Sequence, residues 1–101
     1  MTSTIHQPRI AWEAARSLTA AAQAGDATYR WCRDRVAAVL GAGAASALEA
    51  TRRRLTDLAV GPNEVHVQRG LWRVRLEDAL RNSPGLGNDL ADLIADVAAR
   101  R

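Results

Sequence analysis

The sequence predicts an all-α protein, a compact bundle of four to five amphipathic helices, mostly antiparallel, with the helix over residues 63–82 at its centre. Composition is the first reason, because 21 of the 101 residues are alanine and only three are proline, and alanine has the highest helix propensity. Apolar residues also recur at three- and four-residue spacing, which is typical of helices with one buried face. Glycine and proline occur between these stretches, where helices stop.

Length and composition predict one domain. A chain of 101 residues can build one modest core, whereas two independent cores would need more residues. Residues 1–8 are polar and end in Pro8, so we expect a flexible lead-in there and a single helical domain over 9–101.

Gly25 separates the first two predicted helices, which cover about 9–24 and 27–40. Gly25 is a helix stop, and Asp26 is the expected N-cap of the second helix. The inward stripes are Ile10, Ala14, Leu18 and Ala21 in the first helix, and Tyr29, Cys32, Val36, Val39 and Leu40 in the second.

The third and fifth predicted helices have the clearest boundary signals. Gly61 and Pro62 close a helix over about 44–60, and Ser83 before Pro84 predicts an N-cap followed by proline at the first position of the last helix. Their inward stripes are Leu48, Thr51, Leu55 and Leu58 in the third helix, and Leu86, Leu90, Leu93, Ile94 and Val97 in the fifth.

The fourth predicted helix, capped by Asn63, is apolar on two sides. Its inward stripe is Val65, Arg69, Trp72, Leu76, Ala79 and Leu80, and a second strip on the other side is Val67, Leu71 and Val74. This helix is therefore either the central one, covered on both sides within the bundle, or part of an interface.

Three segments are similar to a known pattern. They are Trp31-Cys32-Arg33-Asp34-Arg35-Val36-Ala37, Leu48-Glu49-Ala50-Thr51-Arg52, and Leu71-Trp72-Arg73-Val74-Arg75-Leu76-Glu77-Asp78. Over about residues 29–98 the chain resembles a loose group of small, uncharacterised actinobacterial helical proteins, from which Cys32 and Val74 depart. The resemblance implies a helical accessory protein.

No residue pattern points to catalysis, a cofactor or a metal. The glycine-rich run over 41–46 follows a helix, whereas a dinucleotide-binding loop follows a strand. His6 and His66 lack a Cys or Glu at metal-ligand spacing, and Cys32 lies on an apolar stripe, where a small buried side chain is expected. We therefore expect a protein that is not an enzyme. A single cysteine, with no signal peptide and no membrane span, suits a reducing cytoplasm.

Arginine clusters make nucleic-acid binding the alternative function. They comprise Arg30, Arg33 and Arg35, then Arg52, Arg53 and Arg54, and then Arg69, Arg73 and Arg75. The net charge is only +3, although the isoelectric point is about 10.4. Carboxylates at four-residue spacing also predict helix-surface ion pairs, namely Arg30 with Asp34, Glu49 with Arg53, Arg53 with Asp57, and Arg73 with Glu77.

Apolar residues outside the inward stripes predict a protein interface. Trp12 and Trp31 each lie about 200° from the inward stripe of their own helix. Together with Val67, Leu71 and Val74 they favour a partner or a self-association surface. A charged contact between copies is predicted to join Arg52, Arg53 and Arg54 to Asp89, Asp92 and Asp96. The sequence thus predicts a helical interaction or self-assembly module that acts as an adaptor or structural accessory protein.

Overall fold

The computed structural model describes residues 7–57 and 59–100, and this part of the chain folds into five α-helices with no strand. The predicted all-α bundle is therefore confirmed. The helices are α1 (Gln7–Ala22), α2 (Asp26–Leu40), α3 (Ala42–Thr56), α4 (Glu64–Asn82) and α5 (Leu86–Arg100). The predicted lead-in over 1–8 lies mostly outside the described residues, and α1 already includes residues 7 and 8.

Helix α3 ends at Thr56, earlier than the predicted end at residue 60. Asp57 adopts an extended conformation, with φ −74° and ψ 118°, and its side-chain Oδ1 accepts a hydrogen bond from the backbone N–H of Ala59 at 2.9 Å. An aspartate that bonds the backbone two residues ahead stabilises a turn in competition with the helix. Leu58, predicted to face inward, lies outside the described residues.

Helix α5 begins at Leu86, two residues after the predicted start. Ser83 ends α4 instead of capping α5, because its backbone N–H donates to the carbonyl of Ala79 at 2.8 Å. Its own carbonyl accepts from the N–H of Leu86 at 3.0 Å, which closes a turn around Pro84. Asn63 precedes α4 as predicted, but its side chain forms no capping hydrogen bond.

The centre of the bundle is α1, so the prediction that the helix over 63–82 is central was wrong. Helix α1 contacts each of the other four helices, and α4 packs mainly on α1. Alanine explains this position, because its short side chain lets neighbouring backbones approach closely while apolar surface is buried. The completely buried α1 side chains are Ala11, Ala15, Leu18, Thr19, Ala21 and Ala22.

Helices α2 and α3 form a tight pair joined at Gly41. This residue has φ +98°, a left-handed conformation that glycine adopts without steric strain. Its N–H donates to the carbonyl of Ala37 at 3.0 Å, and its carbonyl accepts from the N–H of Ala45 at 3.2 Å. Gly41 therefore ends one helix and starts the next, and the pair packs against α1 with α5 alongside α2.

The helices are 15 to 19 residues long. Apolar and polar faces are most clearly separated in α1 and α5 and least in α4. In the described part of the chain, no helix is both long enough and apolar enough to cross a membrane.

Candidate interaction surface

The second apolar side of α4 faces outward. Val67, Leu71 and Val74 are 46%, 59% and 52% exposed, and their spacing of four and three residues places them on one face of the helix. We call these three residues the α4 strip. Leu76, on the opposite face, is completely buried. The bundle itself therefore leaves the second apolar face of α4 uncovered.

A groove of about 860 Å³ runs beside the α4 strip. It lies between α3 and α4, which contact each other only sparsely, and we call it the α3–α4 groove. The lining residues are Ala47, Ala50, Thr51 and Arg54 from α3, and Gln68, Leu71, Trp72, Val74, Arg75 and Asp78 from α4. Two residues of the α4 strip thus form one wall of the groove.

The floor of the α3–α4 groove is fixed by Trp72. Its side chain is only 2% exposed, and its indole Nε1–H donates to the hydroxyl oxygen of Thr51 at 2.8 Å. The Thr51 hydroxyl donates in turn to the carbonyl of Ala47 at 3.0 Å. A buried tryptophan whose N–H has found an acceptor is held in one orientation. The groove is therefore a preformed feature of the bundle.

The rim of the groove carries charges of both signs. Arg54 forms an ion pair with Glu64, with Nε and Oε2 3.3 Å apart. The amide of Gln68, which bonds the same carboxylate at 2.8 Å, lowers the pKa of Glu64 together with the Arg54 pair. The guanidinium of Arg75 lies 5.5 Å from the ring centre of Trp72, and Asp78 follows one turn later. Basic and acidic groups thus stand side by side at one edge of an apolar recess.

The two other predicted interface residues lie elsewhere. Trp12 on α1 is 40% exposed. Trp31 is only half-buried and packs against the core, so the prediction that it points away from the core was wrong. Its ring is covered by the guanidinium groups of Arg35 and Arg100, at 5.6 and 4.5 Å from the ring centre. Helix α5 returns along α2, and this brings Arg100 onto the indole.

Three residues of the predicted charged contact, Arg52, Arg54 and Asp96, are already bonded within the chain. Arg52 donates to the carbonyls of Ala22 and Ala24 at 3.2 and 2.8 Å and pairs with Asp26 at 2.6 Å. It thus joins the end of α1 to the start of α2.

Asp96 pairs with Arg35 at 2.6 Å, and Arg54 pairs with Glu64. The remaining members of the predicted contact are Arg53, Asp89 and Asp92, which are exposed.

Five of the nine arginines in the predicted clusters pair with carboxylates of the described chain. Arg33 bonds Glu49 at 2.9 Å and lies 3.6 Å from Asp34, so both acids pair with Arg33 and not with the arginines predicted at four-residue spacing. The predicted pair of Arg73 and Glu77 does form, at 3.6 Å. The Nε of Arg30 donates to the backbone carbonyl of Asp26 at 3.4 Å. Ion pairs within the chain therefore offset only part of the charge of these arginine clusters.

Cys32 is completely buried. Burial raises the pKa of its thiol from 9.0 to about 11, so the thiol stays protonated and a weak nucleophile near neutral pH. His6 lies outside the described residues. Across residues 7–57 and 59–100, no three His, Cys, Asp or Glu side chains converge as a metal site would require.

Comparisons with known proteins add no family to this description. No protein-family model matches the chain. No curated protein and no solved structure matches it either. The resemblance to small actinobacterial helical proteins remains a prediction from the three sequence segments.

Sequence patterns identified the α4 strip but missed the α3–α4 groove beside it. The groove depends on Ala47 and Ala50, which look like ordinary helix-forming residues, and on Arg75 and Asp78, which look like solvent-facing charges. One signal was present, because small residues on one helix and large apolar residues on the next leave room between them. This signal predicts a groove only when α3 and α4 are already known to be neighbours.

Proposed function

We propose that this chain is a non-enzymatic interaction module that self-associates through the α4 strip and the α3–α4 groove, in the manner of an adaptor or structural accessory protein. The observation that carries the proposal is the exposed apolar strip over Val67, Leu71 and Val74. Contiguous exposed apolar surface on a small protein usually marks a contact with another molecule. A reducing cytoplasm is the compartment that we propose, because Cys32 is a free thiol.

A second copy of the chain is the proposed occupant, because the surface is complementary to itself. A two-fold symmetric contact uses the same patch on both molecules, so every projection needs a recess on that patch. Leu71 projects with 59% of its surface exposed and lies next to a recess between Ala47, Ala50 and Trp72. Two copies can therefore each insert Leu71 into the groove of the other.

The charges at the edge of the groove fit the same arrangement. Arg75 and Asp78 are adjacent on one patch, and Asp78 also pairs with Arg81 of its own chain. A two-fold axis through that patch brings the arginine of each copy towards the aspartate of the other. Exchanged pairs of this kind fix the register of an interface more than they add affinity. Because only three large apolar residues are exposed on α4, we expect a weak dimer near the lower end of interface sizes.

The first experiment is the molar mass by light scattering after size exclusion, at low and high salt and over a range of protein concentrations. We expect the native chain to approach twice the monomer mass at high concentration and to do so in both salts, because the seam is apolar. Leu71→Glu should leave a monomer. Ala98→Glu on α5 is the matched control, since it adds the same charge at an exposed helical site and should dimerise like the native chain.

A charge exchange tests the two-fold geometry. Arg75→Asp and Asp78→Arg should each weaken the dimer, since each places like charges opposite one another, and the double variant should recover most of the loss. A monomer at every concentration and salt would overturn the proposal. If such a monomer instead bound duplex DNA with an affinity that fell steeply as salt rose, the alternative of an arginine-dependent nucleic-acid-binding protein would replace it.

A further inference from the structure

A second recess lies on the other side of the bundle, where α4 and α5 diverge over α1. It encloses about 310 Å³, close to the lower limit of small-molecule sites in proteins. Its lining residues are Glu13, Arg16, Ser17 and Ala20 from α1, Arg69 from α4 and Ile94 from α5. We call it the three-helix pocket. None of its lining residues belongs to the α3–α4 groove.

Arg69 occupies an unusual position for a charged residue. It shares the inward face of α4 with Trp72 and Leu76, which lie three and seven residues later and are buried. The Nε of Arg69 is shielded from solvent and has no hydrogen-bond partner. An unpaired buried donor on a charged group is costly, so an acceptor at this position would be strongly favoured.

A second guanidinium lines the same pocket. Arg16 lies on α1, and among the described residues neither Arg16 nor Arg69 has a carboxylate within ion-pair distance. Two like charges that line the same pocket repel one another, and an anion bound between them attracts both. The hydroxyl of Ser17 is one further donor lining the pocket.

One acidic residue shares the pocket. The carboxylate of Glu13 is bonded by the Nε of Arg9 at 3.1 Å, so its charge is balanced from outside the pocket. Arg16 and Arg69 are not balanced in this way. The pocket therefore has an excess of positive charge and of hydrogen-bond donors.

We propose that the three-helix pocket binds a phosphate group between the guanidiniums of Arg16 and Arg69, with the Ser17 hydroxyl as a third donor. Guanidinium groups match phosphate oxygens in both charge and hydrogen-bond geometry. The phosphate can be inorganic or part of a small monoester, whose organic part would contact Ala20 and Ile94. This site is separate from the self-association surface and does not depend on it.

The test follows the side-chain Nε–H resonance of Arg69 in ¹⁵N-labelled protein while sodium phosphate is added, against sodium chloride at equal ionic strength. We expect a saturable shift with phosphate that chloride does not produce. Arg16→Gln, at an exposed position, should weaken binding about tenfold or more, since hydrogen bonds to charged groups contribute at least that factor. Arg53→Gln removes an exposed arginine on α3 and should leave the dissociation constant unchanged.

A further variant and a second ligand test which groups of the pocket bind phosphate and which kind of phosphate it prefers. Glu13→Gln removes the carboxylate from the pocket and should tighten phosphate binding several-fold. Phenyl phosphate binding more tightly than inorganic phosphate would assign the site to monoesters, and equal binding would assign it to free phosphate, so both results support the proposal.

The proposal is overturned if the Arg69 resonance drifts linearly and equally in both salts. It is also overturned if Arg16→Gln and Arg53→Gln bind phosphate alike. A third contrary result combines two observations: the Arg69 resonance differs between the native chain and Glu13→Gln, and it does not respond to phosphate in either protein. Glu13 would then be the partner of Arg69.

Discussion

Helices α1 and α4 form the most extensive helix contact in the bundle, but they bury themselves in different ways. Helix α1 buries mostly alanine and contacts every other helix. Helix α4 has larger apolar residues on two sides and buries only Trp72, Leu76 and Leu80. The comparison shows that large apolar residues did not decide which helix is central. Small side chains did, because several helices can approach an alanine-rich surface at once.

The largest expected effect is the difference between two single leucine-to-alanine variants, one on α1 and one on α4. Leu18→Ala in α1 removes a completely buried side chain and should lower the free energy of unfolding by about 2–5 kcal/mol. Leu71→Ala in the α4 strip should change the unfolding of the monomer by about 0.5 kcal/mol or less. Urea unfolding at low protein concentration measures both. Equal losses would mean that the strip is covered within a single chain.

The buried thiol of Cys32 on α2 should make the free energy of unfolding depend on pH. Between pH 9 and about 11 the unfolded chain loses the thiol proton while the folded chain keeps it. The free energy of unfolding should therefore fall as the pH rises through this window, by at most about 2–3 kcal/mol, and the contribution should be fully present below it. Cys32→Ala should lack this part of the pH dependence.

The measurement is the difference in unfolding free energy between the native chain and Cys32→Ala across that pH range. Tyr29, whose pKa is also raised by burial, titrates in both proteins and cancels. Parallel pH profiles would show that the thiol is in contact with water.

Adding a larger side chain at a buried position of α1 should lower the free energy of unfolding less than removing a large one does. Ala15→Leu adds bulk at a completely buried position and should cost about 1–3 kcal/mol, because neighbouring helices must move apart. Ala98→Leu on α5 is the matched control at an exposed site and should be close to neutral. Thermal unfolding of the two variants side by side would reveal the difference. If Ala15→Leu were neutral, close packing of α1 would not explain its central place.

The smallest expected effect concerns the end of α1. Arg52→Gln loses the hydrogen bonds to the carbonyls of Ala22 and Ala24 and the stacking of the guanidinium on Tyr29, 4.3 Å away. We expect a loss of about 1–2 kcal/mol. Arg53→Gln, on the exposed side of the same helix, should stay within about 0.5 kcal/mol of the native chain. Similar losses would show that Arg52 contributes only its charge.

The helices and their order could be predicted from local signals, since glycine, proline and apolar spacing act within a few residues. The end of α3 at Thr56 was missed because the side chain of Asp57 competes with the helix. The centre of the bundle was missed for another reason. Periodicity shows which face of a helix is buried, but it does not show how many neighbours share that face.

The candidate surfaces also include features that could be predicted from the sequence and features that could not. Val67, Leu71 and Val74 could be predicted because they conflict with the inward stripe of their own helix. The three-helix pocket could not be predicted, although Arg69 was assigned to an inward stripe, because its neighbour Arg16 comes from a helix more than fifty residues earlier. The outward direction predicted for Trp31 was wrong because a helical wheel does not show which neighbouring elements cover a side chain. Trp31 packs against the core, and Arg100, from the far end of the described chain, lies over its ring.

The central place of α1 also has a consequence for synthesis. The helix that every other helix contacts is the first of the five to leave the ribosome, while its main partner α4 and the adjoining α5 come last. At ordinary rates of elongation it waits several seconds for them. A surface of alanines suits this interval, because it exposes far less apolar area to wrong partners than leucines or phenylalanines would. The residues that let α1 lie at the centre thus also make it a poor target for aggregation while the nascent chain is incomplete.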